Sequence, residues 1–374
     1  ARGLANIDAK DTVDKYFIDK KKNAETGAME DKVVGRARPV DANGKELSFF
    51  PDYIVIPTDE KNQYNVAEGL KAMNQMLGWK IEVQKSTDAV EYDGKKIPAG
   101  AYVIDMKQSR RNVIFEVMSK GYDATGFSGM YADIYCNLPD VRGFDSIQVY
   151  GKGLFDGKLE NIEVVPKEAN ITGEAAEYIV FDSQSTDAVR FVNLLLSGYS
   201  SGPSYADKGT VWMLRKTVKG IGNASDYVIK ASDLEKIHNL TKNAVLGLNG
   251  CHIEGKYIAE LPKEAVKLVE PTIQLNTVRT SQSGGPLWWM LDEYLGFKSM
   301  TNYNGNKDGV RKNANVIISN SSTLDAAQIN EVKKGVGIIF IRNVASLNDA
   351  NFGIGSPAAK TGSFADVALN GQYN

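Results

Sequence analysis

The most reactive residue types of the sequence lie together in one short segment. Gly250-Cys-His-Ile-Glu-Gly255 brings a thiol, an imidazole and a carboxylate within four residues. A cysteine nucleophile needs an adjacent base to take its proton. On a strand, however, Cys251 and His252 point to opposite faces, and no histidine follows His252 to act as a distant base. We therefore interpret the segment as a turn or hairpin with a small buried thiol.

Residues that bind metals are scarce. The two cysteines and two histidines of the chain are Cys136, Cys251, His238 and His252. They are too few for a four-thiolate zinc site or a disulfide framework. Asn304-Gly-Asn-Lys-Asp-Gly309 is similar to the first half of a calcium loop, but its twelfth position is Asn315 instead of a bidentate Glu. We expect a polar turn there, and we assign no metal, cofactor or catalytic residue.

Aromatic residues allow two interpretations. Trp288-Trp289 could line a binding groove, as could the aromatic-rich region 115–135. The helical spacing of the neighbouring apolar residues is typical of a helix face that packs into a core: Leu287, Met290, Leu291, Tyr294 and Leu295. We favour the core for both tryptophans.

Charged and small polar residues are equally ambiguous. At a strand-to-helix junction, an anion site or a solvated face could be formed by Lys107, Arg110 and Arg111. Three further acids have no partner that the sequence identifies: Asp182, Asp187 and Asp233. The Gly- and Ser-rich segment Ser197–Ser204 lacks the Gly-x-x-x-x-Gly-Lys-Ser/Thr signature and is not a P-loop.

The elements that must position these residues begin with a short apolar run. Tyr53-Ile-Val-Ile-Pro57 is typical of a strand buried on both faces. Residues 66–77 have apolar positions at helical spacing and end at Gly78. Asp93-Gly94 predicts a hairpin turn, and residues 101–106 predict a further strand. Strands alternating with helices predict a largely parallel α/β sheet.

The same order recurs about 125 residues later. Glu177-Tyr-Ile-Val-Phe181 matches Asp52-Tyr-Ile-Val-Ile56, and an apolar helix follows each segment. Tyr102-Val-Ile104 closes the first unit, and Tyr227-Val-Ile229 closes the second. A fixed offset between matching elements predicts duplicated α/β units. A third unit is predicted over residues 277–341.

We predict an α/β fold with two or more doubly wound, mostly parallel sheets and an irregular N-terminal arm. The arm covers residues 1–50, with helical turns near residues 13–19 and a solvated loop over residues 20–32. The first α/β domain covers residues 51–165, and a second α/β region covers residues 166–374. Cys136 and Cys251 lie in different predicted domains, so we expect no obligatory disulfide.

Composition excludes several classes of protein. The 374 residues are 43% hydrophobic and 24% charged, which is ordinary for globular domains and not for disordered, collagenous or coiled-coil chains. The net charge of −2 lacks the basic excess of a nucleic-acid binder. The longest apolar run, Val336–Ile341, is too short to span a membrane.

Several segments share one likeness. They are Arg2-Gly-Leu-Ala-Asn-Ile-Asp-Ala9, Asp52–Pro57, Ile97–Gln108, Tyr122–Thr125 and Met130-Tyr131. Together they resemble the region just after the catalytic domain of large secreted bacterial zinc carboxypeptidases of the carboxypeptidase A type. Phe127 stands where that family more often has Trp. Gly285–Phe297 resembles the start of the glutamine-amidotransferase-like α/β domain that ends many such chains.

The catalytic residues of that family have no counterpart in this sequence. The resemblance implies a His-x-x-Glu pair and a distant His as zinc ligands. His238 is followed by Asn239-Leu-Thr241, and His252 by Ile253-Glu-Gly255, so no ligand transfers to any position. A class I amidotransferase needs a His far beyond its Cys, and none follows His252.

The resemblance therefore implies a non-catalytic role. We expect the C-terminal region of an extracellular zinc-carboxypeptidase-like protein, with a catalytic domain before residue 1 and an accessory or binding role. The expected location is extracellular or at the cell surface, and the expected partners are a cell-wall component, a peptide or a second copy. The alternative is a processed structural subunit of a filament or surface layer, because the chain begins at a predicted domain boundary and its small net charge opposes self-association little.

Overall fold

The computed structural model describes residues 18–23, 25–33, 47–48, 50–59, 61–118, 137–165, 169–198, 208–234, 251–277, 284–298, 300–302, 314–319 and 324–341. The chain divides into two compact units, Ala1–Val165 and Pro166–Asn374. Helices and strands are mixed in both units, which confirms the general α/β class.

The first unit contains a five-stranded antiparallel sheet in the order β8-β3-β7-β4-β9. Its strands are β3 (Tyr53–Ile56), β4 (Gln84–Ser86), β7 (Tyr102–Asp105), β8 (Ile147–Val149) and β9 (Leu159–Asn161). Its helices are α1 (Val66–Gly78), α2 (Arg111–Met118) and α3 (Leu138–Arg142). Because β7 lies between β3 and β4 and is antiparallel to both, β3-α1-β4 is a split βαβ unit. The four neighbouring strands β8, β3, β7 and β4 follow the ferredoxin-like order.

Both faces of this sheet are covered. Ile54 and Ile104 pack with α1 and α2 on one face. Val55 and Val103 pack on the other face, with the hairpin β5 (Val90–Tyr92) and β6 (Lys95–Ile97) and with Phe155. The hairpin turns at Asp93 and Gly94, whose φ values of 50° and 70° confirm the predicted turn.

The N-terminal arm contains a hairpin that the sequence prediction missed. β1 (Ile18–Lys22) pairs antiparallel with β2 (Met29–Val33). Asn23 Oδ1 accepts hydrogen bonds from the backbone N–H groups of Glu25 and Thr26, at 2.8 and 3.1 Å. Gly27 has a φ of +70°, which suits glycine. The predicted loop over residues 20–32 is therefore wrong for the strand residues 20–22 and 29–32, and the helical turns predicted near residues 13–19 are wrong at residues 18–19. The strands are polar in sequence, and their signal is the Asn turn rather than an apolar period.

The second unit repeats the first topology. Its six-stranded sheet has the order β10-β14-β11-β13-β12-β15, and four of its five pairings are antiparallel. The strands are β10 (Ala169–Thr172), β11 (Tyr178–Phe181), β12 (Val211–Leu214), β13 (Tyr227–Lys230), β14 (Ile253–Ile258) and β15 (Ala265–Lys267). Helix α4 (Thr186–Ser197) connects β11 to β12, and a 3₁₀ turn, Ala231–Asp233, follows β13.

The two units also share a strand register. Ile54 pairs with Ile104 in the first sheet, and Ile179 pairs with Ile229 in the second. The strand orders β8-β3-β7-β4-β9 and β14-β11-β13-β12-β15 are equivalent position by position. The register of these pairs and the strand orders support the predicted duplication.

A four-stranded, wholly parallel sheet completes the second unit. Its order is β17-β16-β18-β19. The strands are β16 (Ile273–Asn276), β17 (Met300–Asn302), β18 (Val316–Ser319) and β19 (Gly337–Phe340). Helix α5 (Gly284–Trp289) continues as a π-helix (Met290–Tyr294), and α6 (Ala326–Lys333) begins with a capping box at Asp325 and Gln328.

The prediction of mostly parallel sheets holds for this four-stranded sheet and is wrong for the five-stranded and six-stranded sheets. Alternation of strands and helices is common to parallel βαβ units and to split βαβ units, so it does not determine strand direction. The apolar run Tyr53–Ile56 reflects a sheet covered on both faces, which an antiparallel sheet also achieves here. Among the described helices, none is long and apolar enough to cross a membrane.

Candidate functional site

Helix α4 carries a buried polar face. Asp187, Arg190 and Asn193 are 0%, 2% and 7% exposed and lie three residues apart, so they occupy one side of the helix. The helix begins at the N-cap Ser185, whose Oγ accepts the Ala188 N–H at 3.4 Å. Polar groups at this depth need partners, and those partners come from two other parts of the second unit.

Two of these side chains hold the end of the π-helix. Arg190 Nε donates to the Glu293 carbonyl oxygen at 3.2 Å, and Asn193 Nδ2 donates to the Leu295 carbonyl oxygen at 2.8 Å. Carbonyl groups in the last turn of a helix have no partner within that helix, so side chains commonly satisfy them. Arg190 and Asn193 therefore fix the π-helix against α4.

Close packing at Gly296 supports the same attachment. Gly296 has a φ of +76°, and a Cβ added there would lie 2.9 Å from the Arg190 carbonyl oxygen. Lys298 Nζ donates to the Asp292 carbonyl oxygen at 3.2 Å and lies 2.7 Å from Asp292 Oδ1. The residues that follow the π-helix are thus held by backbone shape, by hydrogen bonds and by an ion pair.

The segment that is held in this way presents an aromatic patch, which we define as Trp289, Met290 and Tyr294. Trp289 is 56% exposed and Met290 is 41% exposed. The rings of Trp289 and Tyr294 lie 5.3 Å apart, centroid to centroid. Exposed aromatic side chains that the fold holds in place are suited to contact with another molecule.

The core prediction for the tryptophan pair is half correct. Trp288 packs against the core of the parallel sheet with Leu287 and Leu291, whereas Trp289 and Met290, which were also expected in the core, are exposed. The sequence contained a signal for this difference. At 100° per residue, Trp289 lies about 200° from Leu287, on the opposite side of the helix, so both tryptophans cannot face the same core.

The Cys251–Glu254 segment lies against the start of α4. His252 donates its backbone N–H to Asp187 Oδ2 at 2.9 Å, and its carbonyl oxygen accepts from Ser185 Oγ at 3.1 Å. Cys251 is buried and lies two residues before β14. These contacts use the Asp187 carboxylate and the Ser185 hydroxyl to position backbone.

The histidine side chain lies beside an acid. His252 Nε2 is 3.4 Å from Glu254 Oε1, and Asn170 Nδ2 donates to Glu254 Oε2 at 2.8 Å. His252 directly precedes β14, and Glu254 is the second residue of that strand. Residues two apart in an extended chain share a face, which explains the approach of His252 to Glu254. Asn170 belongs to β10, so this group links β10 and β14.

A second polar group lies at one end of the first sheet. Burial raises the pKa of Asp52, and the nearby Lys107 and Lys152 oppose that rise. Burial also raises the pKa of Tyr150 to about 12, and the neighbouring Tyr92 and Asp52 add to the rise. The Tyr92 hydroxyl accepts the Tyr150 N–H at 3.0 Å, which ties the β5–β6 hairpin to the end of β8.

The predicted basic junction is divided. The Arg111 guanidinium lies over the Phe50 ring at 4.8 Å, and Phe50 meets Phe115 edge to face at 5.1 Å. Lys107 and Arg110 are exposed. Arg111 thus attaches Phe50, which lies three residues before β3, to α2 through a cation–π contact.

Several sequence candidates lie outside the described residues: Cys136, His238, Phe127, the segment 199–204 and the segment 304–309. Within the described residues, no three His, Cys, Asp or Glu side chains form a group that could hold a metal ion. Comparisons with protein families, with curated proteins and with solved structures find no match to this chain.

Proposed function

We propose that this chain is the non-catalytic C-terminal region of an extracellular zinc-carboxypeptidase-like protein, with an accessory role in binding a cell-wall component or a peptide. The observation that supports a binding role is the aromatic patch of Trp289, Met290 and Tyr294. The resemblance of the segments in residues 1–131 supports the family.

Rigidity makes the aromatic patch suitable for binding. Binding costs free energy when side chains and loops must first be ordered, so a surface held in place binds more tightly. The patch is held by Arg190 and Asn193 from α4 and by Lys298 beyond the π-helix. Trp and Tyr are the residues that most often dominate binding energy at interfaces.

We further propose that the parallel sheet is the amidotransferase-like, doubly wound part of the chain. Its strand order is β17-β16-β18-β19. From β16 the chain adds β17 on one side of the sheet and then β18 and β19 on the other side, so the order of strands reverses between β16 and β18. In open α/β sheets such a reversal marks the place where ligands bind, beyond the carboxyl ends of the strands. Asn276 Nδ2 donates to Ser319 Oγ at 2.9 Å at this end of the two strands.

The binding role is tested by co-sedimentation of the purified chain with insoluble bacterial cell wall. We expect the chain to sediment, and Trp289→Ala to raise the dissociation constant at least tenfold, because an aromatic anchor is worth about 2 kcal/mol or more at the centre of an interface. The matched control is Val269→Ala, which truncates another exposed apolar residue (77% exposed) and should bind as the wild type does.

Two results would contradict the proposal. The first is equal binding by the wild type and Trp289→Ala. The second is one equivalent of tightly held zinc that is lost together with carboxypeptidase activity on chelation. Because a catalytic zinc normally needs three protein ligands, this result would mean that the chain contains a catalytic site of its own.

The alternative is a structural subunit of a cell-surface assembly, and one observation favours it. The β1–β2 hairpin is a separate two-stranded sheet. An isolated two-stranded hairpin is marginally stable in water, so this hairpin gains stability by docking on another surface. Docking on a neighbouring copy would make the arm an assembly element.

A further inference from the structure

The edges of the sheets in this chain differ in their protection. Edge strands expose unpaired backbone groups, and proteins commonly protect them with short strands and polar or charged side chains. The edge strands of the two larger sheets carry Gln148 in β8, Glu160 in β9, Asn170 in β10 and Lys267 in β15. These four edges are therefore protected against pairing with another strand.

β19 is as short as β10, with four residues, but it lacks the polar or charged side chains of these edges. Its sequence is Gly337-Ile-Ile-Phe340, without a charge or a proline, and Ile339 is 52% exposed. It pairs with β18 on one side, and within the part of the chain that the structure describes no strand pairs with it on the other. An exposed apolar edge of this kind is a template for a further strand.

The direction of its backbone groups defines what can pair there. The N–H groups of Gly337 and Ile341 donate toward β18, to the carbonyl oxygens of Asn315 and Ser319 at 3.0 and 2.8 Å. Because successive residues of a strand alternate, Ile338 and Phe340 turn their N–H and C=O groups to the outer side. The outer side thus offers two donor–acceptor pairs, separated by Ile339.

We propose that β19 pairs antiparallel with β19 of a second copy of this chain, across a twofold axis at Ile339. Ile338 of one copy then exchanges both hydrogen bonds with Phe340 of the other. Ile339 meets Ile339 of the other copy as a non-hydrogen-bonded pair, the arrangement in which facing side chains are closest, with Cα atoms about 4.5 Å apart.

A second copy fits this edge for two reasons. The donor and acceptor pattern about Ile339 is its own complement under a twofold axis, as an interface between identical patches requires. The pairing also buries an apolar residue of each copy against the same residue. A net charge of −2 over 374 residues opposes the approach of two copies little.

Oxidative cross-linking tests the register directly. In Ile339→Cys the facing thiols lie within the Cα separation of about 4.4–6.8 Å that a disulfide requires. We expect a disulfide-linked dimer of about twice 40.9 kDa on a non-reducing gel, above the level of the wild-type chain, which carries the same Cys136 and Cys251. Val164→Cys is the control, because Val164 is 55% exposed and lies in the first unit.

Light scattering of the full chain gives the second measurement. We expect the wild type to be dimeric, Val164→Lys to remain dimeric, and Ile339→Lys to raise the dimer dissociation constant at least tenfold, because two lysines would then face each other. A monomeric wild type would overturn the proposal, and would indicate that other residues of the chain or another protein cover β19. An Ile339→Lys dimer as tight as the wild type would also overturn it.

Discussion

At the scale of single residues, the polar groups that suggested chemistry mostly position backbone. Asp187 accepts the His252 N–H, and Arg190 donates to the Glu293 carbonyl oxygen. A buried polar group without a hydrogen bond costs about 1–3 kcal/mol, so such contacts are part of the fold. Trp289, which the apolar helix pattern predicts in the core, is instead exposed.

Asp52 gives a pH-dependent prediction. Burial raises its pKa above the ordinary value of 3.8, so the folded chain holds the proton more tightly than the unfolded chain. This group therefore favours folding below about pH 3.8 and loses that contribution as the pH rises through the folded pKa. We expect Asp52→Asn to have a higher Tm than the wild type at pH 7, and the difference to shrink toward zero below about pH 3.8.

Thermal unfolding followed by circular dichroism across this pH range is the measurement. Glu91→Gln, at an exposed position of β5, serves as the control for loss of one negative charge. A Tm of Asp52→Asn that is equal to or below that of the wild type at pH 7 would contradict the argument. In that case the attraction of Lys107 and Lys152 outweighs burial.

At the scale of elements, the π-helix and the glycine that follows it determine where the aromatic patch lies. Gly296→Ala adds a methyl group 2.9 Å from the Arg190 carbonyl oxygen, in a left-handed backbone conformation. We expect the stability of the second unit to fall by more than the roughly 1–3 kcal/mol that the backbone conformation alone costs. The measurement is the urea midpoint of the second unit, followed by the fluorescence of its tryptophans.

Gly335→Ala separates the two causes. Gly335 has a φ of +108° with nothing within 4 Å of an added Cβ, so this variant carries the conformational cost without the close contact. We expect it to lower the midpoint less than Gly296→Ala does. Equal effects would mean that the contact with Arg190 relaxes, and that the attachment of the π-helix to α4 is looser than its distances indicate.

At the scale of the whole molecule, the two units share one strand topology but differ in the strands and helices that are added to it. The first sheet ends at β8, the equivalent of β14, whereas the second sheet extends beyond β14 to β10. The second unit also includes the parallel sheet and its π-helix. The repeated part supplies cores, and the added part supplies the aromatic patch and the unprotected β19 edge.

Deletion of residues 1–48 tests the role of the arm. The β1–β2 hairpin pairs with itself, while the five-stranded sheet begins at Tyr53, so we expect both α/β units to stay folded, with the far-ultraviolet circular dichroism of their helices retained. Any assembly larger than a dimer should be lost, and pairing through β19 should persist. Light scattering before and after deletion decides: an unchanged large assembly removes the arm from the structural alternative.

Local sequence patterns are sufficient to predict the individual strands, helices and turns and their repetition. The buried strand Tyr53–Ile56, the helix ending at Gly78, the Asp93-Gly94 turn and the match at Tyr178–Phe181 depend on residues close together in the chain. Such signals arise from side-chain period and turn conformation, which do not require the rest of the fold. The β1–β2 hairpin was missed because its polar strands carry no apolar period.

The way in which these elements combine depends on contacts between distant parts of the chain. The insertion of β7 between β3 and β4 made the first sheet antiparallel, although its strands and helices alternate as in a parallel fold. Arg190 meets Glu293 across 103 residues, and Ser185 meets His252 across 67. Contacts at such separations depend on which strands become neighbours, and no local period records that choice, because a helix between two strands permits either arrangement.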